Sequence, residues 1–550
     1  MRGARIRAAL GVLLAGAALS GAAPQAVSGG GTSAAGPAQL QDRCATLAVA
    51  IARPGMVIGK NELVPEGPAP APSGASAGAA MTLPAHCLVK GVISPRTGHG
   101  EREFGIGFEL RLPLAWGGRF LFQGGAGLDG QVQPALGSIA NSDSLPALAR
   151  GFAVVSTDSG HSGPIIDASF GLDQQARTDY AYNALDKVTA EAKRIIAAFY
   201  GADPRYSYFL GCSNGGRQAM MASQRLPLEF DGVVAGDPAM SFSRIALGEV
   251  WNLHVVARIA PKDEQGRPIY AKAFSDGDLQ LVRGAVLKQC DAHDGLADGL
   301  INDWQSCGFD PVQLTCEGGK TDSCLSKGQV EVLHDLFQGP KDGRGNHIYG
   351  PFTYDTGIAS SAWRGMRLGT SQTGVPNAAD ATLGLGQFRF YQLTPADPDF
   401  DPLKPFDNDE MLGRIRYTGG IGDADSPLLS TFALKSKLIV YNGMSDQGMA
   451  TAMLVDWYNR MLAATGEPGR QAVRLFTVPG MLHCGGGEAT DRFEMLDAIT
   501  DWVEKGEAPE RIVATGSAMP GISRPLCPYP LVARYRGGDP KSAASFECAT

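Results

Sequence analysis

The chain has 550 residues, 44% of them hydrophobic and 19% charged, with 48 basic against 56 acidic side chains for a formal net charge of −8. That length exceeds what one simple core fills, so two domains, or one domain carrying a large insertion, are expected. The mild acidity without any basic block argues against nucleic acid as a partner.

The N-terminus reads as a signal peptide over residues 1–26. Arg2, Arg5 and Arg7 precede a short apolar run, and small residues follow near Ala22–Ala26. The run is too short to span a bilayer, and no later segment suits a membrane. A secreted or periplasmic protein is expected. Export puts the ten cysteines under oxidising conditions, and their even number predicts five disulfides. Spacing fixes no connectivity, although close pairs such as Cys316 with Cys324 are the easy guesses. No C-x-x-C occurs, which argues against zinc or thioredoxin-like chemistry. Residues 24–40 and 65–80 are rich in Gly, Ser, Ala and Pro, and read as a leader and an exposed loop.

From 104 to 235, apolar runs ending in glycine alternate with helical periodicity. "RFLFQGG", "GFAVVSTDSG", "RYSYFLG" and "FDGVVAGDP" read as buried strands. "ARTDYAYNALDKVTAEAKRIIAAFYG" and "GGRQAMMASQRLP" read as helices. The rhythm resumes downstream with strands "KSKLIVYNG" and "VRLFTVPG" around the helical "TAMLVDWYNRMLAATG", and "RFEMLDAITDWVEKG" is a last helix. Such alternation predicts an α/β core with a parallel sheet. Residues 239–424 break it, which predicts an inserted second domain between core segments 27–238 and 425–550.

Within "FLGCSNGGRQAM", Ser213 occupies the centre of G-x-S-x-G between a strand and a helix, the setting of a nucleophile elbow. A second match, "GASAG" at 74–78, lacks that setting. A serine nucleophile needs a base. His483 in "VPGMLHCGGG" follows a strand and is the only histidine beyond His347, in keeping with the order Ser, acid, His. His161, in "DSGHSG", precedes the serine and suits a structural role. For the acid, Asp446 in "LIVYNGMSDQG" is favoured, with Asp237 in "VVAGDP" as rival. Cys212 adjoins the candidate nucleophile and Cys484 the candidate base. A bridge between them would staple the serine turn to the histidine loop.

These stretches, together with "CDAHDGLADGLI" and "RPLCPYPLVARY", resemble the tannase and feruloyl esterase family from about Cys44 to Cys548. The resemblance implies an α/β-hydrolase core with a large inserted lid domain. It implies disulfides Cys44–Cys87, Cys212–Cys484, Cys290–Cys307, Cys316–Cys324 and Cys527–Cys548. It also implies an oxyanion hole built from the backbone N–H groups of Asn214 and, in the glycine-rich "FQGGAGLDG", Gly127.

"CDAHDGLADGLINDWQSC" crowds Asp291, Asp294 and Asp298 into one loop, and hard oxygen ligands suit Ca²⁺. The alternative is a solvated acidic loop. The resemblance implies a structural calcium ion held by these three aspartates and the carbonyls of Leu296 and Leu300. The expected activity is that of a serine esterase acting on small aromatic esters of hydroxycinnamate, gallate or phthalate type. Alternatives are a general carboxylesterase, a peptidase, or an inactive calcium-stabilised binding protein. Lid residues Trp251, Trp363, Phe388, Phe390 and Tyr391 are candidates to face an aromatic acyl group. Arg364, Arg367 and Arg389 are candidates to meet a free carboxylate. No obligate protein partner is evident.

Overall fold

The computed structural model describes residues 36–69, 81–138 and 141–550. The expected leader at 1–26 and the "GASAG" match at 74–78 lie outside the described residues. A nine-stranded sheet is built from β1 (Met56–Val64), β2 (His86–Thr97), β3 (Glu103–Pro113), β4 (Arg119–Gln123), β5 (Phe152–Thr157), β6 (Tyr206–Cys212), β7 (Gly232–Gly236), β8 (Lys437–Gly443) and β9 (Val473–Val478). Their order is β1-β2-β3-β5-β4-β6-β7-β8-β9. From β5 to β9 every pairing is parallel, while β1, β2 and β3 join antiparallel.

The main helices are α1 (Pro37–Ala50), α2 (Ala184–Tyr200), α3 (Asn214–Arg225), α4 (Phe242–Val256), α5 (Asp276–Cys290), α6 (Lys327–Gln338), α7 (Asn408–Gly422), α8 (Thr451–Thr465) and α9 (Met495–Lys505). The parallel strands are apolar runs because helices cover both of their faces. Alternate residues divide between the two cores, as a period of two requires. Phe120, Phe122, Phe209 and Val440 pack against Ile195 of α2 and Trp457 of α8. Leu121, Tyr208, Val234 and Ile439 pack against Ile499 and Trp502 of α9. Helix α2 ends at Gly201, whose φ of 79° closes the helix in a conformation that favours glycine.

The segment between β7 and β8 is helical and carries its own core, with Leu253, Val282, Leu333 and Trp363 at its centre. Two short ribbons complete the C-terminus, Ile512–Thr515 with Ser523–Leu526 and Val532–Tyr535 with Phe546–Ala549. Five disulfides join Cys44 to Cys87, Cys212 to Cys484, Cys290 to Cys307, Cys316 to Cys324 and Cys527 to Cys548. No helix among the described residues is long and apolar enough to cross a membrane.

Candidate active site

Ser213 stands where β6 turns into α3, with φ 64° and ψ −123°. That is a strained conformation for a side chain to hold. The flanking glycines make the turn possible. A Cβ on Gly211 would lie 2.6 Å from the Gly215 carbonyl oxygen, and one on Gly215 would lie 2.7 Å from that of Gly125. The Ser213 amide donates to Gly236 O at 3.0 Å, so the elbow is hung on the end of β7.

His483 and Asp446 reach Ser213 from the carboxyl ends of neighbouring strands, the edge at which parallel sheets place their sites. His483 Nδ1 is 2.7 Å from Asp446 Oδ2, and its Nε2 is 2.8 Å from Ser213 Oγ. With Nδ1–H donated to Asp446, Nε2 accepts the serine hydroxyl. Asp446 Oδ1 accepts the amides of Gly448 and Met449 at 2.7 and 2.9 Å. Burial alone would push its carboxyl up. The His483 charge, that hydrogen bond and the two amides outweigh burial and hold it below the usual range. Burial pulls the His483 imidazole down, but the Asp446 charge and hydrogen bond reverse this and push it up to about 9.

The rival acid, Asp237, does not bond to the imidazole. It lies fully buried behind it, accepting Gly443 N at 2.7 Å and Cys484 N at 3.2 Å. The Cys212–Cys484 disulfide closes the same seam, joining the residue before the serine to the residue after the histidine.

Asn214 opens α3, so its amide belongs to a first helical turn, where N–H groups have no helical acceptor. Gly127 has a φ of 52°. The hydroxyl of Tyr180 lies 3.1 Å from both the Gly127 carbonyl and Asn214 Oδ1, tying the two residues together. Asn214 Nδ2 donates to Asp129, which also accepts from Ser159 and Gln218. Nothing in the sequence pattern pointed to Tyr180, which sits inside a stretch of helical periodicity.

A cleft of about 360 Å³ opens beside Ser213, lined by Gln123, Gly124, Ser138, Leu210, Tyr441 and His483 among others. The five aromatic residues singled out in the insertion do not line it. Trp363 is packed in the insertion's own core, Phe388 and Tyr391 are fully buried, and Trp251 and Phe390 pack against these clusters. In this structure all five pack among side chains of the insertion and its neighbours. The three candidate arginines are likewise engaged with protein acceptors. Arg364 donates to the carbonyls of Ala271 and Phe274, Arg389 to that of Phe400, and Arg367 to Asp380 and the Gln447 carbonyl. His161 is buried and stacked on Phe170 at 3.7 Å, apart from the triad.

The acidic loop lies in a different part of the molecule, under the C-terminal ribbons. Asp291 accepts the amides of Asp298 and Gly299, Asp294 accepts Leu296 N and Asn302 Nδ2, and Asp298 pairs with Arg524. Burial raises the Asp291 carboxyl and pushes that of Asp294 up to about 6. Among the described residues, acidic, histidine and cysteine ligand atoms converge within 4.8 Å at Asp237, Asp446 and His483, and again at Cys212, Asp237 and Cys484. The three loop aspartates are not so converged.

Residues 87–549 match the family model for tannase and feruloyl esterase. The chain is 38% identical over 529 residues to mono(2-hydroxyethyl) terephthalate hydrolase of Piscinibacter sakaiensis, an alignment covering 87% of each protein. It is 29% identical over 463 residues to a probable feruloyl esterase of Arthroderma benhamiae, covering 80% of this chain and 81% of that one. Its fold is similar to that of feruloyl esterase B from Aspergillus oryzae, with a TM-score of 0.76 at 24% identity, over 93% of this chain and all of the other. It is also similar to the tannin acyl hydrolase of Aspergillus niger, with a TM-score of 0.63 at 19% identity, over 92% and 94% of the two chains.

Proposed function

Given that the chain belongs to the tannase and feruloyl esterase family and is a carboxylic ester hydrolase, we propose that it cleaves small aromatic esters through an acyl-enzyme on Ser213. The observation that carries this reading is the unbroken hydrogen-bond chain from Ser213 Oγ through His483 to Asp446. Ser213 Oγ attacks the ester carbonyl as His483 Nε2 takes its proton. The amides of Asn214 and Gly127 receive the oxyanion of the tetrahedral intermediate. His483 then returns the proton to the departing alcohol, leaving the acid esterified to Ser213. Water repeats the sequence, with His483 again as base, and the carboxylic acid departs. Asp446 fixes the imidazole tautomer and stabilises its charged form.

The aromatic preference rests on the relatives, whose names include feruloyl and terephthalate ester hydrolases. The cleft beside Ser213 has room for one ring and its ester, and the helical insertion acts as a lid over the core. A substrate panel tests this: ferulate, gallate and mono(2-hydroxyethyl) terephthalate esters against long-chain p-nitrophenyl esters. Higher kcat/KM for the aromatic set is the expected outcome.

Export to an oxidising compartment is supported by the leader-like sequence of residues 1–26 and by five disulfides. The acidic loop is proposed as a calcium site. Its donors are hard oxygens, and Asp291, half-buried, and Asp294, buried, have amides rather than cations as hydrogen-bond partners. Asp291, Asp294, Asp298 and the carbonyls of Leu296 and Leu300 would hold the ion. It would supply charge neutralisation and anchor the loop against the C-terminal ribbons. Elemental analysis of undialysed protein tests this, and protein free of calcium would end it.

A further inference from the structure

The chemistry proposed above uses Asp446 and leaves a second carboxyl at the same place without a role. Asp237 follows β7, and four contacts connect it to every part of the site. Its amide donates to Tyr441 O at 2.8 Å, and the carbonyl of the preceding residue, Gly236, accepts the Ser213 amide. Its Oδ1 accepts the amide of Gly443, at the end of the strand that leads to Asp446. Its Oδ2 accepts the amide of Cys484, next to His483. The residue holds a φ of 36° to do this, beside two further strained residues, Ser213 at 64° and Cys484 at 57°. Strain of this kind persists where the surroundings over-determine it.

The carboxyl oxygen of Asp237 falls within 4.8 Å of ligand atoms of both Asp446 and His483. Asp237 is fully buried and Asp446 nearly so. Two carboxylates this close, away from water, do not both ionise; they share one negative charge. Asp446 has the better claim to it, since it bonds directly to the imidazole. The groups facing Asp237 are Asp446, His483 and the buried phenol of Tyr441, with the non-titrating Cys212–Cys484 disulfide alongside.

We propose that Asp237 is a positioning residue of this site: a neutral carboxylic acid that donates its O–H to the Asp446 carboxylate while holding the Gly443 and Cys484 amides in place. The donated hydrogen bond would fix the second face of Asp446, and the two amides would lock the acid strand and the histidine loop to the serine elbow. Burial and the neighbouring Asp446 charge both push the Asp237 carboxyl well up, in the direction this role requires. The proposal rests on the Ser213–His483–Asp446 reading.

The test is Asp237→Asn in the full-length protein. Its infrared spectrum and the pH profile of kcat/KM are measured against the native enzyme, with Asp237→Ser repeating the charge comparison should Asn fail to fold. The carbonyl band of a protonated carboxylic acid is expected in the native-minus-variant difference spectrum at neutral pH. Both substitutions exchange one neutral group for another, so the acid limb that reports His483 is expected to move by less than about half a pH unit. Asn offers one acceptor oxygen to two amides, so kcat is expected to fall about tenfold or more, with KM little changed. An absent difference band, or an acid limb displaced downward by about half a unit or more, would mean that Asp237 carries charge and would overturn the proposal. Native kcat in Asp237→Asn would overturn the positioning role. Labelling of the native enzyme by a fluorophosphonate separates the two readings. Absence of label at Ser213 overturns the triad and this proposal together, whereas label combined with a displaced limb overturns only the role of Asp237.

Discussion

The serine–histidine seam and the acidic loop are built from the same materials: a disulfide, a glycine-rich turn and buried carboxylates. They differ in what answers the negative charge. At the seam, Asp446 is met by His483 and two amides and stays below the usual carboxylate range. At the loop, Asp298 pairs with Arg524, but Asp291 and Asp294 are met by amides and an asparagine, and both are raised. A carboxylate with an internal cation is poised for chemistry, because its charge can be felt by a neighbour that gains and loses a proton. A carboxylate without one has only neutral donors to answer its charge. The staples differ too. Cys212–Cys484 spans 272 residues and joins the Ser213 turn to the His483 loop, whereas Cys290–Cys307 spans 17 and pins one local turn.

The sharpest way to break this contrast is to remove the seam's nucleophile. Ser213→Ala is expected to lower kcat by about 10⁴-fold or more with unchanged thermal stability, and Asp446→Asn by a comparable factor. Steady-state kinetics on an activated aryl ester decides it. The staples come next. Opening Cys212–Cys484 by a double Cys→Ser change is expected to cost up to about 6 kcal/mol, against about 3 kcal/mol for Cys290–Cys307, by the loop-entropy relation. Denaturant unfolding of the two variants measures the difference, and kcat should fall only in the first.

Removing a cation should separate the regions in the opposite sense. Chelation is expected to lower Tm, with calcium restoring about 3 kcal/mol at a hundredfold excess over its Kd. Activity measured below the new Tm should hardly change. Proton removal should act at the seam instead. His483 must be neutral to accept the serine proton, and its imidazole is raised above the usual 6.5 towards about 9. Activity should therefore be lost as pH falls through that raised value, so kcat/KM should climb on an acid limb above pH 6.5 and reach its plateau in the alkaline range. The smallest effect concerns substrate. An alkyl ferulate or gallate is expected to exceed a long-chain p-nitrophenyl ester by about tenfold in kcat/KM, about 1.4 kcal/mol in transition-state binding. The reverse preference would leave a general esterase.

The parallel part of the sheet was readable because its strands are apolar runs ending in glycine, and β4 to β9 all stand where such runs occur. The antiparallel edge was not. β1 alternates irregularly and exposes most of its residues, and both ladders of its neighbour β2 contain a register shift. The serine and histidine were legible from local context, since each follows a strand and adjoins a cysteine. Asp446 is favoured over Asp237 already by its place in the strand-helix unit that leads to His483, although both follow strands and both lie beside His483. The acyl pocket was not legible in the sequence for a physical reason. Aromatic residues of the insertion, Phe388 and Tyr391 among them, are spaced to fill its core, while the cleft beside Ser213 is lined largely by small residues that carry no pattern.

Passage of ester cleavage through Ser213 is checked by trapping the intermediate. The native enzyme would be mixed with an activated aromatic ester, quenched in acid within a turnover, and digested for mass spectrometry. One acyl group per chain is expected, carried on the peptide containing Ser213 and absent from Ser213→Ala. Hydrolysis by Ser213→Ala at the native rate, with no acyl group on that peptide in the native enzyme, would contradict it.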